Sequence, residues 1–205
     1  MLLKEYIYSR NSDEFLIATS NKGKLKEFKK LFNNYRLFSL DDFSIKDPVE
    51  DGDSFFENAL IKARHGVHFS KKFTIADDSG LVIPDLNFEP GIFSARYAGK
   101  NATDKNNRDK VISKILEKNK KELDAYYVCI LVGLRYENDT LPIICEGKLH
   151  GKISINSSGD GGFGYDKIFY PDGFSSSMAS LDDETKNIIS HRAIASLKFI
   201  KALQS

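Results

Sequence analysis

The sequence predicts an α/β fold: an elongated, bent, mixed β-sheet flanked by helices, with two lobes and a central cleft. Two observations predict this class. Short apolar runs alternate with amphipathic segments in the first half of the chain, and two long β-rich runs dominate the second half. The 205 residues contain no internal repeat, low-complexity segment or linker, so we expect a single domain over residues 1–205.

The composition argues against several classes of protein. The chain has 30 Lys and Arg residues against 29 Asp and Glu, a net charge of +1, whereas nucleic-acid-binding proteins normally show a basic excess. No apolar run approaches the roughly 20 residues that a bilayer span requires, and charge interrupts MLLKEYIYSRNSDEF too early for a signal peptide. Cys129 and Cys145 lack the spacing of a zinc site or a redox pair. We therefore expect a cytoplasmic protein with no nucleic-acid or membrane partner.

The first strands and the first helix follow from the spacing of apolar residues. The run FLIAT at 15–19 predicts a strand, and Leu25, Phe28 and Leu31 then recur at helical spacing. The run YRLFSL at 35–40 predicts a second extended segment.

A second helix and a third strand are expected next. Ser54 and Glu57 have the spacing of a capping box, so a helix should begin there. The run KFTIA at 72–76 predicts a strand that ends at DDSG. The segment LVIPDL at 81–86 then predicts a separate extended piece, which Pro84 interrupts.

Two further helices are predicted in the remainder of the chain. The segment 102–118 carries a helical apolar stripe and has Thr103 or Asp104 as its cap. The last helix is expected from about Leu181 to Leu203, with Ser180 as its cap.

A long hairpin is predicted between these two helices. The β-rich runs 125–137 and 140–155 are separated by Asn138 and Asp139, which favour a turn. The segment KIFY at 167–170 predicts one more short strand after a glycine-rich loop.

The first candidate site is the segment TSNKGK, from Thr19 to Lys24, where a strand leads into a helix. Backbone N–H groups at a helix start bind anions, and Lys22 and Lys24 add positive charge. The spacing is not that of a Walker loop. The alternative is an ordinary Ser or Asn helix cap with solvated lysines.

The second candidate site is acidic. Glu50, Asp51 and Asp53 precede the second helix, and Asp77 and Asp78 follow a buried strand. Adjacent carboxylates are costly to dehydrate unless a cation offsets them, and hard oxygen ligands suit Mg²⁺. The alternatives are turn residues before the helix and an Asx turn after the strand.

The third candidate site is the glycine-rich loop from Gly159 to Asp166. Its glycines would let the backbone approach a ligand closely, and Phe163 or Tyr165 offers a ring for stacking.

The last helix supplies the fourth candidate site, formed by Lys186, Ser190, His191 and Arg192. An apolar stripe would place these polar groups near its border; its members are Ile189, Ala193, Leu197 and Ile200.

Six segments in this order resemble the family of noncanonical purine nucleoside triphosphate pyrophosphatases. They are TSNKGKLKEF, EDGDSFFENALIKA, ADDSGL, PGIFSARYAG, GGFGYDKIF and ETKNIISHR. The resemblance implies hydrolysis of ITP, dITP and XTP between the α- and β-phosphates, removing deaminated purines from the nucleotide pool. It also implies Mg²⁺ as cofactor, a homodimer, and an active site in the cleft of a bent mixed sheet.

The same resemblance assigns roles to individual residues. Glu50 and Asp78 correspond to the metal ligands, and Asp78 is also the expected proton acceptor. The implied contacts to the triphosphate are Thr19, Ser20, Asn21, Lys22, Gly23, Lys24 and Lys62. Ser79 is implied as a further contact to the substrate. The implied contacts to the base are Phe163, Gly164, Tyr165, Asp166, Lys186, His191 and Arg192. Arg192 or His191 would donate to the 6-keto oxygen of the purine.

Two positions depart from the family pattern. Lys167 stands where Pro commonly follows GYD, and Thr185 stands where Glu usually precedes the lysine. Two alternatives stay open: a nucleotide-binding or sensing module with little turnover, and a pyrophosphatase for another modified nucleotide such as a pyrimidine.

Overall fold

The computed structural model describes residues 13–204. Residues 1–12, for which the sequence predicts no function, lie outside the described part. Six strands form one sheet in the order β2-β1-β3-β4-β5-β6. They are β1 (Glu14–Ile17), β2 (Arg36–Ser39), β3 (Thr74–Val82), β4 (Glu122–Leu134), β5 (Ile143–Ser154) and β6 (Phe169–Pro171). β1 pairs in parallel with β2 and β3, whereas β5 and β6 are antiparallel. The prediction of a mixed α/β fold is confirmed.

The α-helices of the described chain are α1 (Lys22–Leu31), α2 (Phe55–Ser70), α3 (Asp104–Glu117), α4 (Asp183–Ile189) and α5 (His191–Gln204). The side chain of Ser54 accepts the backbone N–H of Glu57 at 3.1 Å. Glu57 in turn accepts the backbone N–H of Asp53 at 2.7 Å, so the capping box closes one residue earlier than the usual pattern. Thr103, and not Asp104, caps α3. No described helix is long and apolar enough to cross a membrane.

The described chain divides into two compact units. The first contains the described residues up to Asp78 together with 130–146 and 195–204, and the second contains 79–129 and 147–194. Leu16, Ala63 and Val132 lie in the core of the first unit. Leu81, Val111 and Phe169 lie in the core of the second unit. The single domain with a central cleft stays a prediction.

One predicted boundary is wrong. β3 does not end before DDSG; it runs without a break from Thr74 to Val82, and Asp77 and Asp78 lie inside it. Both aspartates are buried, and so is Leu81. The Asx turn considered for this segment is therefore absent, because burial extends past the polar residues and keeps the chain extended.

The last helix is also not continuous. Ser190 has extended backbone angles (φ −63°, ψ 149°) and separates α4 from α5. Asp182, not Ser180, caps α4 by accepting the N–H of Thr185. The predicted apolar stripe is wrong at Leu197, which is exposed, whereas Phe199 is fully buried.

The expected hairpin is present in a longer form. β4 and β5 are neighbours in the sheet and are joined by residues 135–142. Asp139 organises this loop: its carboxylate accepts hydrogen bonds from the backbone N–H and the guanidinium of Arg135, and from the N–H of Leu141.

Candidate active site

The turn between β1 and α1 is a capped helix start. The Asn21 side chain accepts the backbone N–H of Lys24 at 3.1 Å, and the Thr19 hydroxyl accepts the N–H of Asn21 at 3.2 Å. Thr19 is buried, whereas Ser20, Asn21 and Lys22 are exposed. The Asn cap that the sequence allows is confirmed, and it places the positive end of α1 at an exposed surface.

Lys24 is not a solvated lysine. Its ammonium lies 2.7 Å from Asp77 Oδ2, and the Asp77 side chain is fully buried. The lysine therefore offsets one of the two carboxylates that the sequence places together on β3.

Lys62 bridges the two residues expected to bind metal. Its Nζ lies 3.0 Å from Glu50 Oε2 and 3.0 Å from Asp78 Oδ1. The lysine comes from α2, Asp78 from β3, and Glu50 from the segment before α2. Three residues that are distant in sequence thus meet at one point in the first unit.

The charges of this cluster do not cancel. Lys24 and Lys62 face the carboxylates of Glu50, Asp77 and Asp78, which leaves one net negative charge when all are ionised. Burial raises the pKa of the Asp78 carboxyl above its ordinary value, although Lys62 and Lys24 oppose that shift. Burial also acts to lower the pKa of Lys62, but the neighbouring carboxylates, Asp78 first, hold it above its ordinary value. Lys62 consequently remains charged.

One oxygen of the cluster is available to a ligand. Asp78 Oδ2 is buried and has no hydrogen-bond partner among residues 13–204. A buried carboxylate oxygen normally has a partner, so this atom points to a missing donor or cation. No group of three or more His, Cys, Asp or Glu side chains in the described chain could hold a metal. A divalent ion here would depend on Glu50 and Asp78 with oxygens from substrate and water, which suits Mg²⁺.

Asn58 holds the segment that carries Glu50, although no motif in the sequence assigns a role to this residue. Its Oδ1 accepts the N–H of Gly52 at 2.9 Å, and Asn58 is 1% exposed. A Cβ at Gly52 would lie only 2.7 Å from Glu57 Cβ, so the close approach requires glycine. The only signal in the sequence was an amide side chain directly after the capping box.

In the second unit, Asp166 organises the loop of Phe163. Its Oδ2 accepts the N–H of Phe163 at 3.2 Å, and its Oδ1 accepts the hydroxyl of Tyr127 at 3.1 Å. Gly162 has φ +75°, and a Cβ there would lie 2.9 Å from Asp166 Cβ. The glycine-rich sequence is therefore needed for a tight turn closed by a carboxylate.

Side chains of α3 fix the next residue of the same loop. Asp104 accepts the N–H of Gly164 at 2.7 Å, and Arg108 donates to the Gly164 carbonyl at 2.7 Å. Tyr165 is not accessible as a stacking ring for a ligand, because it is only 3% exposed. Its hydroxyl donates to the Ser94 carbonyl. Phe163, which is half-buried, is the ring of this loop that can stack on a base.

The residues around α4 and α5 lie beside this loop. The Arg192 guanidinium is 5.9 Å from the centre of the Phe163 ring, and Arg192 is almost fully buried. The His191 ring stacks on Tyr127 at 4.7 Å between centres. Lys186 Nζ lies beside Gly161, since a Cβ on that glycine would be 3.3 Å from this atom. The base-binding residues that the resemblance implies are thus brought together within the second unit.

The remaining positions have simple surroundings. Ser79 follows Asp78 in β3 and is half-buried. Lys167 makes an exposed ion pair of 3.5 Å with Asp160, and the Thr185 N–H closes the cap of α4. Neither departure from the family pattern removes a contact that holds Phe163 or Asp166.

Comparison with known proteins gives consistent matches over most of the chain. A sequence model of the Ham1 family matches residues 15–202. A dITP/XTP pyrophosphatase of Legionella pneumophila (strain Lens) is 44% identical over 190 residues, covering 93% of this chain and 97% of the relative. A dITP/XTP pyrophosphatase of Acinetobacter baumannii (strain ACICU) is 42% identical and covers 92% and 94%.

Solved structures show the same similarity in three dimensions. A HAM1 protein from Coxiella burnetii superimposes with a TM-score of 0.86 at 39% identity, covering 93% of this chain and 98% of the other. The Ham1 protein of Staphylococcus aureus gives a TM-score of 0.80 at 36% identity, with coverages of 93% and 97%.

Proposed function

This chain belongs to the Ham1 family, and we propose that it hydrolyses dITP, ITP and XTP to the nucleoside monophosphate and pyrophosphate. The observation that carries the proposal is the cluster of Glu50, Lys62 and Asp78, in which one buried carboxylate oxygen lacks a partner. The names of the related pyrophosphatases support the choice of substrates.

We propose Mg²⁺ as the cofactor, held by Glu50 and Asp78. The net negative charge of the cluster and the free Asp78 Oδ2 support this assignment. The ion, when bound, neutralises phosphate charge and polarises the phosphoryl oxygens.

Asp78 is placed to act on the attacking water. Lys62 fixes Oδ1, which leaves Oδ2 to orient the water and accept its proton. The water oxygen forms a bond to the α-phosphorus, the bond from that phosphorus to the bridging oxygen breaks, and pyrophosphate leaves with the electron pair.

Positive groups in the first unit can stabilise the departing pyrophosphate. Lys22 is exposed beside the capped start of α1, the Lys24 ammonium is partly buried and the Lys62 ammonium is buried. Fixed cations and helix N–H groups stabilise charge that develops in a transition state.

Selection of the purine base belongs to the residues of the second unit. Phe163 supplies the stacking ring, and Arg192 or His191 donates to the 6-keto oxygen of hypoxanthine or xanthine. Adenine carries a 6-amino group, which would leave this buried donor unpaired. Rejection through an unpaired polar group is stronger than rejection by size.

A pyrophosphate-release assay tests the reaction. With Mg²⁺, the protein should release pyrophosphate from dITP, ITP and XTP faster than from dATP and dGTP. Release of orthophosphate with a nucleoside diphosphate would overturn the assignment. Binding of ITP without product under any divalent metal would favour a sensing module, and preference for a modified pyrimidine would favour the other enzyme.

Substitution of the proposed base tests the mechanism. Asp78→Asn should reduce kcat by about a hundredfold or more, because it removes a metal ligand and proton acceptor. Asp85→Asn changes an exposed aspartate outside the cluster and should leave kcat unchanged. Near-normal turnover by Asp78→Asn would refute the role of Asp78.

We also propose that the enzyme is a cytoplasmic homodimer, which the family resemblance supports. Light scattering coupled to size-exclusion chromatography tests the dimer. A monomeric mass at micromolar protein concentration would contradict it.

A further inference from the structure

Tyr127 on β4 contacts three parts of the proposed base-binding region. Its hydroxyl donates to Asp166 Oδ1 at 3.1 Å, and its ring stacks on His191 with the planes inclined by 12°. The same ring packs against Phe169, with 4.6 Å between centres. Neither the sequence motifs nor the family resemblance assigned a role to this tyrosine.

The hydrogen bond from Tyr127 completes the hold on Asp166. One oxygen of that carboxylate accepts the Tyr127 hydroxyl and the other accepts the backbone N–H of Phe163. Both oxygens of the carboxylate are therefore held by hydrogen bonds. Through Asp166, these bonds also position the backbone that carries the Phe163 ring. Arg192 lies over that ring, so the position of Phe163 also affects the buried guanidinium.

The Tyr127 hydroxyl is protonated at neutral pH and can therefore donate a hydrogen bond. Tyr127 is 7% exposed. Burial, and then the nearby Asp166 carboxylate, raise the pKa of the hydroxyl well above its ordinary value. A neutral hydroxyl that donates to a carboxylate forms a charge-assisted hydrogen bond, which is stronger than one between neutral groups.

We propose that Tyr127 is a positioning residue for purine recognition: its hydroxyl orients Asp166, and through it Phe163, while its ring sets the plane of His191. The proposal rests on the proposed function, because it concerns the base pocket of the same reaction. Tyr127 contacts no reacting atom in this scheme, so it should affect binding of the base and not the chemical step.

The substitution Tyr127→Phe isolates the hydroxyl, since it keeps the ring that stacks on His191 and packs on Phe169. We expect KM for dITP and XTP to rise about tenfold, the scale of one lost hydrogen bond to a charged group, with kcat nearly unchanged. Tyr126→Phe is the matched control, because Tyr126 is the adjacent residue of β4 and contacts His150 instead of Asp166. This control should retain the wild-type KM.

A double substitution tests whether Tyr127 acts through Asp166. Adding Tyr127→Phe to Asp166→Asn should weaken dITP binding much less than it does in the wild-type background. Equal effects in both backgrounds would show that Tyr127 acts independently of Asp166 and would overturn the proposal. Circular dichroism of each variant at assay temperature confirms that folded protein is compared.

Calorimetric titration of dITP without divalent metal separates this proposal from the proposed function. An unchanged dissociation constant and KM in Tyr127→Phe, or a fall in kcat at constant KM, would overturn the role of Tyr127. If wild-type protein binds dITP but releases no pyrophosphate, only the proposed reaction is overturned. Tenfold weaker binding of dITP by Tyr127→Phe would then still support the positioning role of Tyr127. No binding of dITP by wild-type protein, together with no pyrophosphate release from dITP in the presence of Mg²⁺, would overturn both.

Discussion

Lys62 holds together two carboxylates that would otherwise repel each other. The side chains of Lys62 and Asp78 are both at least nine-tenths buried, and Glu50 is less than a third exposed. Removing one partner of a buried ion pair leaves an uncompensated charge, which is why such pairs are sensitive to substitution. This single residue therefore links the stability of the first unit to the proposed chemistry.

Lys62→Met should lower both stability and activity. We expect the free energy of unfolding to fall by about 3 kcal/mol, the usual loss when one member of a buried pair is removed. Urea unfolding followed by circular dichroism measures the change, and pyrophosphate release measures the activity. Lys26→Met, on an exposed face of α1, is the control and should change neither quantity.

Gly133 illustrates how tightly single residues are packed in β4. A Cβ at this position would lie 2.7 Å from Phe199 Cε2 and 3.1 Å from Phe73 Cε1. Gly133→Ala should therefore destabilise the protein by about 2 kcal/mol through overpacking. Thermal unfolding checks this value. Gly173→Ala, where nothing lies within 4 Å but φ is +82°, should cost only the backbone strain, about 1 kcal/mol.

At the scale of elements, polar side chains decide where strands and helices begin and end. Ser54, Thr103 and Asp182 each accept a backbone N–H in the first turn of the helix that they precede. Ser190 does the same for α5, since its hydroxyl accepts the N–H of Ala193 at 3.1 Å. The break at Ser190 is thus a helix start that places His191 and Arg192 in the first turn of α5.

Asp139 accepts the backbone N–H groups of Arg135 and Leu141 in the loop between β4 and β5, as the capping residues do at helix starts. Asp139→Ala leaves the donors of Arg135 and Leu141 without this acceptor, so we expect a loss of about 2 kcal/mol in urea unfolding at neutral pH. Asn138→Ala, an exposed neighbour in the same loop, is the control and should be nearly neutral.

The contribution of Asp139 should also depend on pH. Burial opposes ionisation, but hydrogen bonds from Arg135 and Leu141 hold the pKa of Asp139 below its ordinary value of 3.8. A lowered folded pKa means that the stabilisation is fully present above pH 3.8 and is lost as the pH falls through the folded pKa. The difference between wild type and Asp139→Ala should therefore be constant from neutral pH to about pH 5 and shrink below about pH 4. A difference that grows on acidification would contradict this assignment.

At the scale of the whole molecule, the net charge of +1 results from opposing local sets of charges. In the first unit, Lys24 and Lys62 are each paired with carboxylates, which suits a small ligand that carries its own metal and phosphates. A chain whose positive and negative charges nearly cancel lacks the basic excess that normally accompanies binding to a polyanion.

The protein should accordingly show no measurable affinity for duplex DNA at physiological salt. Affinity for DNA grows with the number of phosphates neutralised, and a near-neutral surface releases few counterions. Fluorescence anisotropy of a labelled duplex at about 150 mM salt checks this expectation, with a basic DNA-binding domain as positive control. Micromolar binding that weakens steeply with salt would contradict it.

The sequence by itself determined the features that depend on neighbours in the chain. The capping residue Ser54, the start of α1 and the paired strands β4 and β5 all follow from local spacing. For α3 the spacing left Thr103 and Asp104 as alternative caps, and the structure selects Thr103. The ordered motifs also identified the family, because they are short segments whose order and spacing can be read along the chain.

The tertiary structure alone decided the features that depend on distant contacts. Lys62 meets Glu50 across 12 residues and Asp78 across 16, and Tyr127 meets Asp166 across 39. The same holds for the continuity of β3 through two aspartates, which burial and not local preference maintains. Local patterns report the period of a helix or strand, whereas burial and ion pairing arise only when separate elements pack together. The sequence therefore named candidate residues for the site, and the packing of the elements decided which of them hold one another.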